Sequence, residues 1–185
     1  MPRIAYGSPT GPAETEMRAR RGGTLTPLDL LLLHNDPLAR GWNALLGAVR
    51  SRFTLGDDLR ELIILRVGHV NGAAYEWHAH VDVGRRAGLT EDVLEVVASD
   101  SARTGNPVYD VILRYTDEMT RHVTVEEPTF AALAAEFTDQ QVAEITATVA
   151  AYNMVSRFLV ALDVHPQDRD AVTTAPEEVS DRARS

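Results

Sequence analysis

Apolar residues recur at helical spacing along most of the chain, and they are densest in the range 61–88. Leucine, isoleucine and valine fill its first half, which predicts a largely buried helix. Asn71-Gly72 interrupts the pattern, and a second helix is predicted over residues 73–87, closed by Gly88. The pattern therefore predicts a central helix-turn-helix hairpin.

Further helices are marked by capping residues and prolines, and each signal is followed by apolar residues three and four apart. No segment alternates as a half-buried strand does. We therefore predict an all-α fold of about seven or eight helices. The predicted starts are Thr26-Pro27, Asp36-Pro37, Thr90, Pro107, Pro128 and Thr138, and the apolar positions predicted as core in the helix after Pro37 are Leu38, Trp42, Leu45, Leu46 and Val49.

The two ends of the chain differ from the middle in composition. Residues 1–23 are rich in glycine, proline and arginine without a sustained period, so we predict an N-terminal arm, either disordered or wrapped around a neighbouring subunit. Residues 166–185 are polar and charged, which predicts a disordered tail. The helical domain is predicted over residues 24–165.

Composition and charge narrow the classes of function. Hydrophobic residues make up 44% and charged residues 24%, a balance typical of soluble globular proteins. A net charge of −9 argues against a nucleic-acid partner. No apolar run approaches membrane-spanning length and the N-terminus lacks the apolar core of a secretory signal, so we expect a cytoplasmic protein without a membrane partner.

Two residue types are missing from the sequence. There is no cysteine, which excludes disulfides, thiolate catalysis and thiol-ligated metal sites. All 18 basic residues are arginine, so Schiff-base catalysis by a lysine is also excluded. Catalysis is left to Asp, Glu, His, Tyr, Ser, Thr and Arg.

The candidate chemistry lies in the central hairpin. Glu76 and His80 are four residues apart, so on a helix a carboxylate meets an imidazole, a group that titrates near neutral pH. Either they are a general acid-base pair or an ordinary surface pair worth about 0.2–0.5 kcal/mol. Glu61 is either a proton relay to His80, or a first-turn acid that complements the helix dipole or pairs with Arg60 or Arg66.

Four further residues are predicted to line a substrate pocket: His69, Ala73, Trp77 and Tyr152. Plain core or subunit contact is the alternative for the aromatic residues. His78 is two residues from both Glu76 and His80, so it should point away from their face. A metal site from Glu61, His69, Glu76 and His80 is a further alternative, but it matches no recognised metalloprotease pattern. We predict no metal and no other cofactor.

The same stretches resemble the carboxymuconolactone decarboxylase family, which includes the alkylhydroperoxidase D-like proteins. The resemblance covers roughly residues 28–165. The segments that carry it are Arg60-Glu61-Leu62, Tyr75-Glu76-Trp77 with His80, Ala87-Gly88-Leu89, Tyr115-Thr116-Asp117-Glu118 and Ala151-Tyr152-Asn153.

The resemblance implies an alkylhydroperoxidase D-like helical domain assembled into trimers or hexamers. The redox branch of the family uses a glutamate, two cysteines three apart and a histidine four beyond the second. These positions fall on Glu61, Ala73, Glu76 and His80 in this chain. Since neither cysteine position holds a thiol, we expect no thiol peroxidase activity.

The decarboxylase branch relies on acid-base residues and a histidine, so the resemblance favours a catalytic role for Glu76 and His80, supported by Glu61. We predict cofactor-independent decarboxylation, isomerisation, elimination or lactone opening on a small carboxylate or lactone. An arginine would hold the carboxylate, but the pattern does not indicate which one. The alternatives are a redox-dead ligand-binding or oligomeric interaction homologue, and a peroxidase-like antioxidant acting without thiols.

Overall fold

The computed structural model describes residues 2–7 and 11–168 of the chain. Within these residues the chain forms nine helices and no strand, which confirms the predicted all-α fold. No helix in this described part is long and apolar enough to cross a membrane. The helices are α1 (Pro12–Arg21), α2 (Pro27–Leu32), α3 (Asp36–Ser51), α4 (Asp57–Val70), α5 (Ala74–Ala87), α6 (Glu91–Val97), α7 (Pro107–His122), α8 (Glu127–Glu136) and α9 (Asp139–Ala161).

Capping side chains determine where several helices begin. Thr26 and Thr138 each form a capping box at the start of α2 and α9. Asn35, Thr90 and Asn106 accept backbone N–H groups in the first turns of α3, α6 and α7. Each such cap stabilises its helix by about 1 kcal/mol. The helix starts predicted at Thr26, Thr90 and Thr138 are confirmed.

Helix α4 is the centre of the fold. Every residue from Glu61 to Gly68 is buried, and the helix packs against α5, α7 and α9. Its four consecutive apolar residues Leu62, Ile63, Ile64 and Leu65 have no exposed surface. Burying each of these side chains stabilises the fold by about 1.5–3 kcal/mol. Helices α5, α6, α7 and α9 therefore assemble around α4, whose apolar sequence predicts its burial.

Helices α4 and α5 form the predicted hairpin, and glycines allow their close packing. Gly72 in the turn has a φ of 64°, a left-handed conformation that favours glycine. A Cβ atom at Gly68 would lie 3.6 Å from Cβ of Glu76, and one at Gly84 would lie 3.8 Å from Cβ of Glu61. Since the end of α4 meets the start of α5, and the start of α4 meets the end of α5, the two helices are antiparallel.

A buried ion pair attaches α6 and α7 to α4. The guanidinium of Arg66 donates from Nε and Nη2 to the two carboxylate oxygens of Asp117, each at 2.6 Å. Its Nη1 donates to backbone carbonyl groups at the end of α6, including that of Val97 at 3.1 Å. A buried charge needs such a full set of partners. Arg66 is therefore a structural residue and not the partner of Glu61.

The structure corrects two of the predictions. Residues 1–23 were predicted to form an arm, but they contain α1, which packs on α3 through the buried residues Ala13 and Met17. Only two apolar residues in this charged helix face the core, so its period is hard to see in the sequence. Leu38 and Leu45 were predicted as core but are 42% and 46% exposed. The reason is that α3 lies at the surface and buries only the narrower stripe of Ala39, Trp42, Leu46 and Val49.

The last described residues follow α9. Asp168 is buried and its carboxylate accepts the backbone N–H of His165 at 2.9 Å. Of the tail predicted at residues 166–185, residues 169–185 lie outside the described residues.

Candidate functional site

Glu61 of α4 and His80 of α5 form a hydrogen bond across the hairpin. The distance from His80 Nδ1 to Glu61 Oε2 is 2.8 Å, and Glu61 is only 1% exposed. The other carboxylate oxygen of Glu61 accepts from Arg60 Nε at 3.3 Å. Because an ionised carboxylate can only accept, we assign the proton to Nδ1 of His80. Nε2 is then the basic nitrogen of the ring. Glu61 therefore contacts both His80 and Arg60, each of which the sequence offered as its partner.

Glu76 lies one helical turn before His80 on the same face of α5. Its Oε2 is 3.5 Å from Nε2 of His80, and Glu76 is buried. This separation is longer than a good hydrogen bond, so a substrate group can still approach Nε2. The imidazole therefore lies between two carboxylates, one bound at Nδ1 and one beside Nε2.

Tyr152 of α9 packs against the same imidazole. The two rings are 5.5 Å apart between centroids and perpendicular, an edge-to-face contact. Tyr152 is fully buried, and its hydroxyl has no hydrogen-bond partner among the described residues. Burial raises the pKa of this hydroxyl above its usual range. Tyr152 is therefore protonated at neutral pH and retains a hydrogen-bond donor.

A cavity of about 210 Å³ opens onto Glu76 and His80. Its walls combine polar groups with apolar side chains and come from both the hairpin and the N-terminal helices, so the segment predicted as an arm contributes to the site. A volume of this size suits a small metabolite better than a drug-sized ligand. The lining residues are Arg21, Thr26, Leu28, Trp42, Leu46, Arg50, Tyr75, Glu76, Ala79, His80, Tyr152 and Val155.

The sequence analysis missed Arg50, a partly buried residue of α3 that lines this cavity. The side chain of Arg50 makes no hydrogen bond or ion pair with another residue in the described ranges. The sequence does contain a signal, because Arg50 follows Trp42 and Leu46 at successive intervals of four. It therefore lies on the same stripe of α3 as two buried apolar residues.

Three of the predicted substrate-binding residues, His69, Ala73 and Trp77, line a different pocket. That pocket has a volume of about 400 Å³ and lies at the turn between α4 and α5. His69 and Trp77 make an edge contact there, with ring centroids 6.4 Å apart. Only Tyr152 of the predicted substrate-binding set accompanies the catalytic candidates. His78 also lines the second pocket, away from the face of Glu76 and His80 as expected.

The division into two pockets also separates the residues of the possible metal site. Glu61, Glu76 and His80 are together, whereas His69 lies in the other pocket. Within residues 2–7 and 11–168, no group of three or more His, Asp or Glu side chains is arranged to hold a metal ion.

Residues 36–118 match the family model of the Carboxymuconolactone decarboxylase family. This segment includes α3 to α6 and most of α7, and it contains Glu61, Glu76 and His80. The resemblance predicted from the sequence is thereby confirmed. No curated protein matches the chain.

Several solved structures share this helical fold. One is a protein of unknown function from Agrobacterium tumefaciens, described as an antioxidant defence protein of the AhpD type, with 26% identity over 69% of this chain and 89% of its own, and a TM-score of 0.63. An uncharacterised peroxidase-related protein with an alkylhydroperoxidase AhpD core from Ralstonia eutropha has 22% identity, 82% coverage of both chains and a TM-score of 0.68.

A third solved structure is the debrominase Bmp8 in complex with 2,3,4-tribromopyrrole. It has a TM-score of 0.72 and covers 94% of this chain and 98% of its own, at 16% identity. At this identity the likeness shows the fold alone.

Proposed function

We propose that this protein is an acid-base enzyme acting on a small carboxylate or lactone, since residues 36–118 match the model of the carboxymuconolactone decarboxylase family. The observation that carries the proposal is the contact of His80 with Glu61 and Glu76 at the wall of a small cavity. Buried ionisable groups that converge on a cavity are typical of catalytic sites.

In the proposed reaction, Nε2 of His80 accepts a proton from a substrate carbon next to a carbonyl group. The electron pair of the broken C–H bond moves onto the carbonyl oxygen and forms an enolate. Return of the proton to another carbon gives isomerisation, and loss of a neighbouring leaving group, including a lactone carboxylate, gives elimination or ring opening. In a decarboxylation the C–C bond to CO₂ breaks instead, and the protonated imidazole donates the proton to carbon.

Glu61 acts through His80, as a positioning residue. Its carboxylate holds the imidazole at Nδ1 and stabilises the positive charge that the ring acquires when Nε2 is protonated. Glu76 lies beside Nε2, so its carboxylate stabilises the imidazolium from the substrate side once Nε2 has taken the proton. Proton transfer of this kind requires only the chain's own side chains.

Thiol chemistry is not available to this chain. It has no cysteine, and Ala73 and Glu76 occupy the positions of the two thiols in the redox branch. The activities named for the AhpD-type proteins and for the debrominase therefore belong to those proteins. The proposal rests on the imidazole and the two carboxylates.

Exchange of substrate hydrogen with solvent tests the proposal without knowledge of the final product. We would incubate the protein in D₂O with a panel of small keto acids, lactones and lactone carboxylates and follow the loss of C–H signals by proton NMR. His80→Asn should slow exchange by about 10²–10⁴-fold, because it removes the base. His78→Asn is the matched control, since it removes an exposed histidine of the same helix that faces the other pocket.

Equal exchange rates in the two histidine variants would contradict the proposal, as would the absence of exchange for every compound with the wild-type protein. A ligand-binding protein without catalysis is the second candidate. The buried hydroxyl of Tyr152, which has no partner among the described residues, favours it because such a group suits a bound ligand. Ligand binding without exchange of substrate hydrogen would indicate this second function.

A further inference from the structure

We propose that Arg50 and Tyr152 form a subsite for the carboxylate group of the ligand in this cavity. The inference rests on the proposed function only in taking that ligand to be the substrate. It assigns a binding role to an arginine that the sequence pattern did not single out.

The first argument is the charge of the cavity wall. Two arginines line the cavity, but Nε of Arg21 is already 2.6 Å from a carboxylate oxygen of Asp29. Arg50 has no such carboxylate partner within 4.0 Å among the described residues. Glu76 lies in the same wall and repels an incoming anion. An anionic ligand therefore needs a cation in the cavity, and Arg50 is the guanidinium that is available for it.

The second argument is the hydroxyl of Tyr152. A buried hydroxyl without a partner is unfavourable, so an acceptor brought by a ligand recovers lost free energy. Burial raises the pKa of this hydroxyl most strongly, and the positive charge of Arg50 opposes that effect. Arg50 and Tyr152 line the same cavity of about 210 Å³, so one small ligand can contact both.

The third argument is the match between these two groups and a carboxylate. The fork of a guanidinium fits the two oxygens of a carboxylate, and a neutral hydroxyl adds a further donor. The single positive charge of Arg50 balances the single negative charge of one ligand carboxylate. Trp42, Leu46 and Val155 supply apolar walls for the rest of the molecule. The subsite therefore favours a small monocarboxylate with an apolar or lactone body.

Calorimetry with benzoate and benzamide tests the subsite, since the two probes share a shape and differ in charge. The wild-type protein should bind benzoate more tightly than benzamide. Arg50→Gln should weaken benzoate binding by about 10- to 100-fold, the effect of losing a hydrogen bond to a charged group, and should leave benzamide binding nearly unchanged. Arg52→Gln is the charge-matched control, because Arg52 is exposed two residues further along the chain.

Two further variants separate the roles of charge and geometry. Tyr152→Phe keeps the ring contact with His80 and removes only the hydroxyl, so benzoate binding should fall by about 3- to 10-fold. Arg50→Lys keeps the charge and loses the fork, so it should retain part of the preference for benzoate. Melting temperatures near that of the wild type would show that the variants are folded.

The subsite is wrong if the wild-type protein does not prefer benzoate, or if Arg50→Gln and Arg52→Gln have the same effect. The result is separable from the proposed function, because the same titrations are made in His80→Asn. A preference for benzoate that depends on Arg50 and persists in His80→Asn, with no solvent exchange in the wild type, would support the subsite and contradict the enzyme. Hydrogen exchange in the wild type without a preference for benzoate would support the enzyme and contradict the subsite.

Discussion

Helix α5 separates two pockets that differ in chemistry although their residues alternate along the same stretch of sequence. The smaller cavity receives Tyr75, Glu76, Ala79 and His80 from one face of the helix. The larger pocket receives Ala73, Ala74, Trp77 and His78 from another face. Neighbours in sequence therefore serve different sites, because successive side chains on a helix point about a quarter turn apart.

The comparison shows that pocket volume and ionisable chemistry point to different pockets. The pocket of about 400 Å³ is nearly twice the volume of the cavity of about 210 Å³. Yet the smaller cavity is where a carboxylate, an imidazole and two guanidinium groups converge. Convergent ionisable groups, rather than volume, indicate where chemistry is possible.

After the loss of exchange expected for His80→Asn, the largest effect on the smaller cavity is expected for Glu61→Gln. A carboxylate can only accept from Nδ1 of His80, whereas a glutamine amide can accept or donate, so the tautomer of the imidazole is no longer fixed. The charge that stabilises the imidazolium is also lost. We expect solvent exchange to slow by about 10²-fold, at the lower end of acid-base effects.

Nitrogen NMR of the His80 ring gives a readout that a general loss of stability would not produce. Wild-type protein should show the proton on Nδ1, and Glu61→Gln should show a mixture of tautomers. The conservative variant Glu61→Asp should recover part of the exchange rate. An unchanged tautomer together with an unchanged rate would show that Glu61 is only a structural partner of Arg60.

Local patterns explain why much of this site is predictable from the sequence. The spacing of Glu76 and His80 places them on one helix face, and Asn71-Gly72 folds the next helix back so that Glu61 meets His80. The same reasoning fails for His69. This residue is about two helical turns after Glu61 on α4, so it lies near the turn of the hairpin and lines the larger pocket.

The residues that were missed depend on packing between distant helices. Arg50 reaches the cavity because α3 lies beside α9, and no local spacing relates it to His80. Arg21 does so because α1 packs on α3 through only two buried residues, Ala13 and Met17. Sequence periodicity shows which face of such a helix is buried, but not which helix covers it.

Trp77→Ala tests whether the larger pocket takes part in catalysis. Trp77 is partly buried and contacts His69, so its truncation should lower the free energy of unfolding by about 1–3 kcal/mol, as measured by urea denaturation. Solvent exchange should stay within about twofold of the wild type, because Trp77 does not line the smaller cavity. A loss of exchange with little loss of stability would show that the two pockets act together.

The smallest expected effect concerns the pH dependence of stability, and it comes from His69. Burial, followed by the charge of Arg66, lowers the pKa of His69 in the folded protein below its ordinary value of about 6.5. The unfolded chain therefore binds a proton at this residue at a higher pH than the folded protein does. The contribution of neutral His69 to stability is complete above the unfolded pKa and is lost as the pH falls below about 6.5.

His69→Gln should consequently lose less stability than the wild type between about pH 7.5 and pH 5.5, as measured by urea midpoints. Proton NMR of the His69 ring in the wild type gives the folded pKa directly, and a value above 6.5 would reverse the expected sign. A lowered value would show that the larger pocket disfavours a charged imidazole. The smaller cavity instead places carboxylates at both ring nitrogens of His80, and this difference in the surroundings of two histidines is the physical reason to assign proton transfer to His80.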